Sequence, residues 1–450
     1  MSATSRVYGR VVVAAGLLAG TVAGSALTAA PALAAPTDLH VGGAGCSDSG
    51  RGSAARPFCT INRGTSVATA GQSVLVASGH YAETVTVRNS GESGRPIVVR
   101  PKRGAAVTLT SGGGDGAVVL NGVQHVEVIG LTITNPTSYG ILVTNSSDIL
   151  IANNTVTYAG TPVSGQKAAG IRLTNTTAST VTGNTTDHNS DHGIYLASGA
   201  TGNTVSYNES SWNANEYQRA ATGINVIAAG NTVIGNVVHD NEDSGLQFYT
   251  GGNNGLATLN VAYNNGDHGI DNLNVTGGRL IGNTVYRNCT SGINVEGTSG
   301  NYIVKNNISV DNAVYPAYNG IACNRRKGNI GIYDSAPSTT TVNHNLVWLS
   351  TPGKMYAFGS TYTSLAAMQA ATGQEQQGIQ GDPQFYDAAA WDLRLAAGSP
   401  AVDSADSGAP GQQAQDILGT ARVDDPAVVN TGVGPRAYDD RGAYELVPGG

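Results

Sequence analysis

From about residue 115 to residue 312, apolar and polar positions recur together. Aligned on a Gly followed by an apolar residue, the units are Gly140-Ile141, Gly170-Ile171, Gly193-Ile194, Gly223-Ile224, Gly245-Leu246, Gly269-Ile270 and Gly292-Ile293. Aligned on Asn, they are Asn154, Asn184, Asn208, Asn236, Asn260, Asn283 and Asn307, with later steps of 24, 28, 24, 23 and 24 residues. Such a period predicts three short strands and three turns per coil. One coil cannot bury its own apolar face, but a stack of coils can. The pattern therefore predicts an all-β parallel solenoid. The Asn column is expected to form an inward-facing amide ladder at one turn, fixing register rather than performing chemistry.

The flanks read differently. In residues 1–34, Arg6 and Arg10 precede an apolar run, and Ala32-Leu33-Ala34 supplies a small-x-small cleavage site. This is the pattern of a secretory signal peptide, so the mature protein is expected to be secreted and extracellular. Residues 35–110 are expected to hold an N-terminal cap and the first coils, with CTINRGTSVATAG as a short capping helix. Residues 111–345 are expected to be the coils proper. Residues 346–450 are expected to close the structure, with a helix in TSLAAMQAATG ended by Gly373. Residues 378–448 would cover the last coil, without a second independent domain.

Composition adds limits. The 450 residues include 61 Gly, only 12% are charged, and the net charge is -7. An acidic chain argues against a nucleic-acid or anionic-membrane partner, though a bound cation could still admit a polyanionic substrate. A monomer is expected. Four cysteines allow three pairings; Cys46–Cys59 with Cys289–Cys323, each closing a local loop, is preferred.

Strand alternation then exposes the candidate chemistry. In each Gly-apolar unit the apolar residue points inward, so the next residue points outward. That outward column runs Arg172, Tyr195, Asn225, Gln247, Asp271 and Asn294. Two residues before the Gly stand Asp191, Ala221, Asp243, Asp267 and Thr290, with His192 and His268 between. Coils stack about 4.8 Å apart, so Asp243, Asp267 and Asp271 should be close neighbours. Three carboxylates so placed repel unless neutralised, and Ca²⁺ is the natural extracellular cation for oxygen ligands. The long turn from Glu209 to Thr222, with Trp212, Tyr217 and Arg219, is expected to wall a groove.

The opening segment resembles the start of secreted right-handed parallel β-helix proteins. The run N-E-D-S-G-L-Q (Asn241 to Gln247), followed one coil later by D-H-G-I-D, resembles the pectate lyases of polysaccharide lyase family 9. The resemblance implies a right-handed parallel β-helix that cleaves a uronate-containing, pectate-like polysaccharide by calcium-assisted β-elimination. It implies a metal set of Asp243, Asp267, His268 and Asp271, with His268 standing where the family has a second Asp. It also implies a lysine base. Lys305, the only lysine between Lys167 and Lys327, falls within a couple of residues of that position. Arg219, Gln247, Arg279, Arg287 and Asn294 are the expected substrate contacts. Three other readings stay open: a β-helix glycoside hydrolase using clustered Asp, a uronan C5-epimerase using the Asp-His pairs with Tyr195 or Tyr249, and a non-catalytic glycan-binding surface protein.

Overall fold

A computed structural model of the chain describes residues 37–110, 113–160, 168–215 and 219–449. The signal peptide expected at 1–34 and Tyr217 lie outside the described residues. Strands of two to six residues wind through three 12-stranded sheets, all parallel except the edge strand Ser360–Tyr362. A representative coil runs Leu246–Phe248 in sheet III, Leu256–Thr258 in sheet I and Val261–Tyr263 in sheet II, and re-enters sheet III at Ile270–Leu273.

Register follows the apolar column. Ile141, Ile171, Ile194, Ile224, Leu246, Ile270, Ile293 and Ile330 are direct neighbours along sheet III. All are buried in one continuous core. Removing each such side chain from water contributes about 1.5–3 kcal/mol.

The Asn column forms the expected ladder. The Oδ1 of Asn236 accepts from the backbone N–H and side-chain amide of Asn208, and its own amide donates to Asn260 Oδ1 at 3.0 Å. The series continues through Asn283 and Asn307 to Asn345 and ends on the buried carboxylate of Glu375. Burial pushes the Glu375 carboxyl up to about 7. A second ladder was not anticipated. Asn189, Asn213, Asn241, Asn265, Asn288, Asn312 and Asn329 link in the same way at the turn entering sheet III. The Gly that follows is required for space. A Cβ on Gly269 would lie 2.2 Å from Val285 and 2.8 Å from the Asn288 amide.

Helix α1 (Ile61–Val67) packs over the first strands, with Thr60 capping the Arg63 N–H and Ile61 fully buried. Helix α2 (Leu365–Thr372) packs beside Tyr356–Phe358 and stops at Gly373, whose φ of 69° suits glycine. The disulfides pair Cys46 with Cys59 and Cys289 with Cys323. No helix among the described residues is long and apolar enough to cross a membrane.

The segment after residue 380 meets the last coils, where Arg441 donates to the carbonyls of Asn345 and Gln377, and also runs back along the flank of the solenoid. Outward positions of sheet II are apolar there, with Val261, Tyr263, Ile308, Val310 and Leu346 buried against Leu393, Leu395, Val402 and Ile417. An apolar outer face needs cover. Trp391 stacks on Tyr263, which stacks in turn on His239.

Substituting Asn236 by Ala leaves several buried backbone and amide groups unpaired, and is expected to cost about 2–4 kcal/mol in denaturant unfolding. His239 gives a pH-dependent counterpart. Burial alone would lower its pKa, but hydrogen bonds to Asp240 and Glu209 outweigh burial and raise it to about 9. The stabilisation is complete below the unfolded value of 6.5 and disappears as pH rises through about 9. Melting temperatures across that window should fall for the native chain and flatten for His239→Gln.

Candidate active site

The second Asn ladder builds the site. Asn241, Asn265 and Asn288 fix successive copies of one turn, and two residues later each copy presents Asp243, Asp267 or Thr290. The outward column of sheet III then carries Gln247, Asp271 and Asn294 in register. These outward residues are nonetheless buried, because two long turns close over them. The expected turn from Glu209 is shorter: Glu209–Ser211 is a strand of sheet II, and Arg219, from the turn that follows it, donates to the Ala322 carbonyl at 2.8 Å and approaches the Cys289 sulfur at 3.6 Å. The loop 313–328 contains Ala322 and is tied back to the coil by Cys289–Cys323.

Inside this cover the groups are closely connected. Asp271 accepts from Asn294 Nδ2 at 2.7 Å and from Gln247 Nε2 at 3.4 Å. Asp267 pairs with Arg325, and Arg219 lies 3.9 Å away. The Thr290 hydroxyl donates to Asp267 Oδ1 at 2.7 Å. It stands 2.8 Å from His268 Nδ1. Because the single hydroxyl proton goes to the carboxylate, the threonine oxygen accepts from Nδ1–H. His268 Nε2, fully buried, is then left without a hydrogen-bond partner, as is Asn294 Oδ1.

The carboxyls separate electrostatically. Burial drives Asp243 well above the ordinary carboxylate range, and the charges of Asp267 and Asp271 add to the effect. Burial also acts on Asp267, but the His268 ring, Arg325, the Thr290 hydroxyl and Arg219 outweigh it and hold that carboxyl below its usual value. Burial and Asp271 raise Glu296. Burial, with Asp271 and Asp243 close by, pushes the Tyr249 phenol far up, so it stays protonated. Carboxyls split in this way can supply an acid and a base within one site.

The structure thus brings together Asp243, Asp267, His268, Asp271, Gln247, Asn294 and Arg219. It does not bring Lys305, Arg279 or Arg287 to them. Lys305 lies on sheet I in strand Ile303–Lys305, and its ammonium is 2.8 Å from Asp406 of the C-terminal segment. Its place, about one and a half coils past Asp271, is the reason: only whole-coil steps return to the same sheet. Arg279 is also on sheet I. Arg287 sits over the rings of Tyr286 and Tyr315. The side chains of the expected calcium set already have protein partners in part. Asp267 is engaged by two guanidinium groups. The atoms that converge within 4.8 Å of one another belong to His268, Asp271 and Glu296, an imidazole nitrogen with two carboxylates. That donor set departs from the all-oxygen shell calcium takes.

Glu296 and Arg325 were missed from sequence. Glu296 follows from the same alternation carried two residues past Asn294. Arg325 lies in the basic run NRRKGN directly after Cys323, a tethered loop next to three acids. Upstream on the same face, Arg172 lies 5.1 Å from the ring centroids of both Tyr139 and Tyr195, and His192 bonds Thr222 and Asn225.

These coils define a class. Residues 71–217, 116–271 and 211–366 match the right handed beta helix region family, and the chain belongs to it. Among particular proteins, it is 24% identical over 430 residues to YwoF, an uncharacterized protein of Bacillus subtilis (strain 168), covering 79% of this chain and 90% of that one. XylC in complex with xylose superposes with a TM-score of 0.53 at 12% identity, covering 91% of this chain and 98% of XylC. Pectate lyase Pel9A gives 0.48 at 18% identity, covering 92% and 97%. The likeness to XylC, at that identity, speaks to the fold alone.

Removing the Arg325 guanidinium leaves Asp267 buried with less compensation. Arg325→Ala is expected to lose about 1–2 kcal/mol at pH 7, discounted because the arginine is half-exposed. The deficit should shrink as pH falls through the carboxylate range, since a depressed carboxyl stabilises only while ionised. Urea titrations at pH 7 and pH 3.5 check this.

Proposed function

We propose that this chain is a secreted carbohydrate-active enzyme that cleaves a uronate-containing polysaccharide by β-elimination. The observation that carries the reading is the gathering of Asp243, Asp267 and Asp271 from adjacent coils, beside Arg219 and Arg325, on one face of sheet III. The resemblance of Asn241–Gln247 and Asp267–Asp271 to family 9 pectate lyases points the same way. Arg172, Tyr195 and Asn225 continue the face as a polar track suited to a sugar chain.

The roles follow from charge. Arg325, half-exposed, and Arg219 face the substrate carboxylate and offset its charge, which makes the adjacent C5 proton more acidic. Asp243, a stronger base than an ordinary carboxylate once ionised, takes that proton. The C5 electron pair forms the C4–C5 double bond and the C4–O4 bond breaks. Tyr249, held as the neutral phenol, donates a proton to the departing oxygen. Lys305 has no part, since Asp406 holds it on another sheet.

A second reading rests on the same raised Asp243. A carboxyl protonated near neutrality is also what a glycoside hydrolase needs as its general acid. The two readings predict opposite pH limbs. Elimination needs Asp243 ionised, so the rate rises with pH; hydrolysis needs it protonated, so the rate falls.

Incubation with pectate, alginate and glycosaminoglycans, read by absorbance near ~232 nm for the unsaturated end formed in β-elimination, tests the proposal. Absorbance growing with one polymer, faster at higher pH and reduced about 10²–10⁴-fold by Asp243→Asn, is the expected result. New reducing ends without absorbance would assign the hydrolase instead. Altered uronate stereochemistry at constant chain length would assign an epimerase.

A further inference from the structure

The proposed elimination leaves one buried group unused. His268 is fully buried, and its Nε2 has no hydrogen-bond partner. The nearest Asp267 oxygen is 3.9 Å away, beyond hydrogen-bond reach. The other ring nitrogen is committed, since Nδ1–H donates to Thr290, whose hydroxyl donates to Asp267. A ring nitrogen of His268 and carboxylate oxygens of Asp271 and Glu296 all lie within 4.8 Å of one another, and all three residues are buried. Asn294 Oδ1, a second fully buried acceptor without a partner, belongs to the amide that donates to Asp271. Arg326, 2.7 Å from Glu296 Oε2, is a cation beside the group.

We infer that His268 Nε2, Asp271 and Glu296, with Asn294 Oδ1, form a site for a divalent transition cation of the Mn²⁺ to Zn²⁺ series, in preference to calcium. Three features select this class. An imidazole nitrogen suits these cations, whereas calcium favours an all-oxygen shell. The ring is oriented by a donated Nδ1–H that passes through Thr290 to a carboxylate, the outer-shell support characteristic of metal-bound histidine. His268, Asp271 and Glu296 are all buried, which limits the water that would compete for the cation. The site contains neither Asp243 nor Tyr249, so it stands whether or not the lyase reading does.

Binding is measured without substrate. The mature protein, stripped with a chelator and dialysed, is titrated separately with Mn²⁺, Zn²⁺ and Ca²⁺ by calorimetry, and bound metal is counted by elemental analysis. Uptake of about one Mn²⁺ or Zn²⁺ per chain, at least about tenfold tighter than Ca²⁺, is expected. His268→Gln and Glu296→Gln should abolish this uptake. Thr290→Val, which leaves every ligand in place, should weaken it by about 10–100-fold. Melting curves of the metal-free variants establish that each is folded. If His268→Gln is not, Glu296→Gln and Thr290→Val decide the matter. Calcium binding as tightly as Mn²⁺ and Zn²⁺, no uptake of either, or uptake unchanged in the folded variants would each overturn the assignment. Absence of uptake would mean that a buried water satisfies Nε2 and Asn294 Oδ1.

Discussion

Buried asparagine side chains hold this molecule in register, and the rest of the structure depends on them. A parallel coil of three-residue strands has little length with which to specify its partner, and a slip of one residue would turn every inward side chain outward. Each ladder Asn prevents the slip by bonding the equivalent Asn of the next coil and the backbone around it. A buried amide so engaged has no alternative partner if a coil shifts, so registers other than the observed one carry unsatisfied polar groups. The apolar column supplies the greater part of the stabilisation, and the ladders select which stacking receives it.

Register of this quality converts sequence variation into surface columns. Once the turn entering sheet III is pinned by Asn241, Asn265 and Asn288, the residue two positions later must project beside its counterpart about 4.8 Å away. Carboxylates placed there cannot avoid each other, and the structure meets their repulsion in two ways. Arg219 and Arg325 reach Asp267 from long turns, and Asp243 holds its proton more tightly. The outcome is one depressed and one raised carboxyl on neighbouring coils, a division of acid and base produced by a repeating scaffold.

The coils were legible in the sequence because their signal is repeated. The Gly-apolar and Asn columns fall in the observed registers, and alternation placed Gln247, Asp271 and Asn294 on one face. What escaped was information that does not repeat. Lys305 was placed by distance along the chain, which does not say which of three sheets a residue occupies. Arg325 comes from a loop whose path over the groove is set by a disulfide and by Arg219. Glu296 was one alternation away and went unread. The C-terminal segment resembled a closing element, but the apolar outer face of sheet II that draws it along the flank is visible only once the coils are stacked. The second Asn ladder lies in the same repeat, five residues after the first in each coil.

On the proposed function, the face carrying Asp243, Asp267 and Asp271 is where a sugar chain is handled. The most direct measurement is a crystal structure of the Asp243→Asn protein with a bound acidic oligosaccharide. The expected result is a chain along the outward column of sheet III, with a uronate carboxylate at Arg325 and a glycosidic oxygen facing Tyr249. An oligosaccharide seated instead on sheet I beside Lys305, with the sheet III face free, would contradict it.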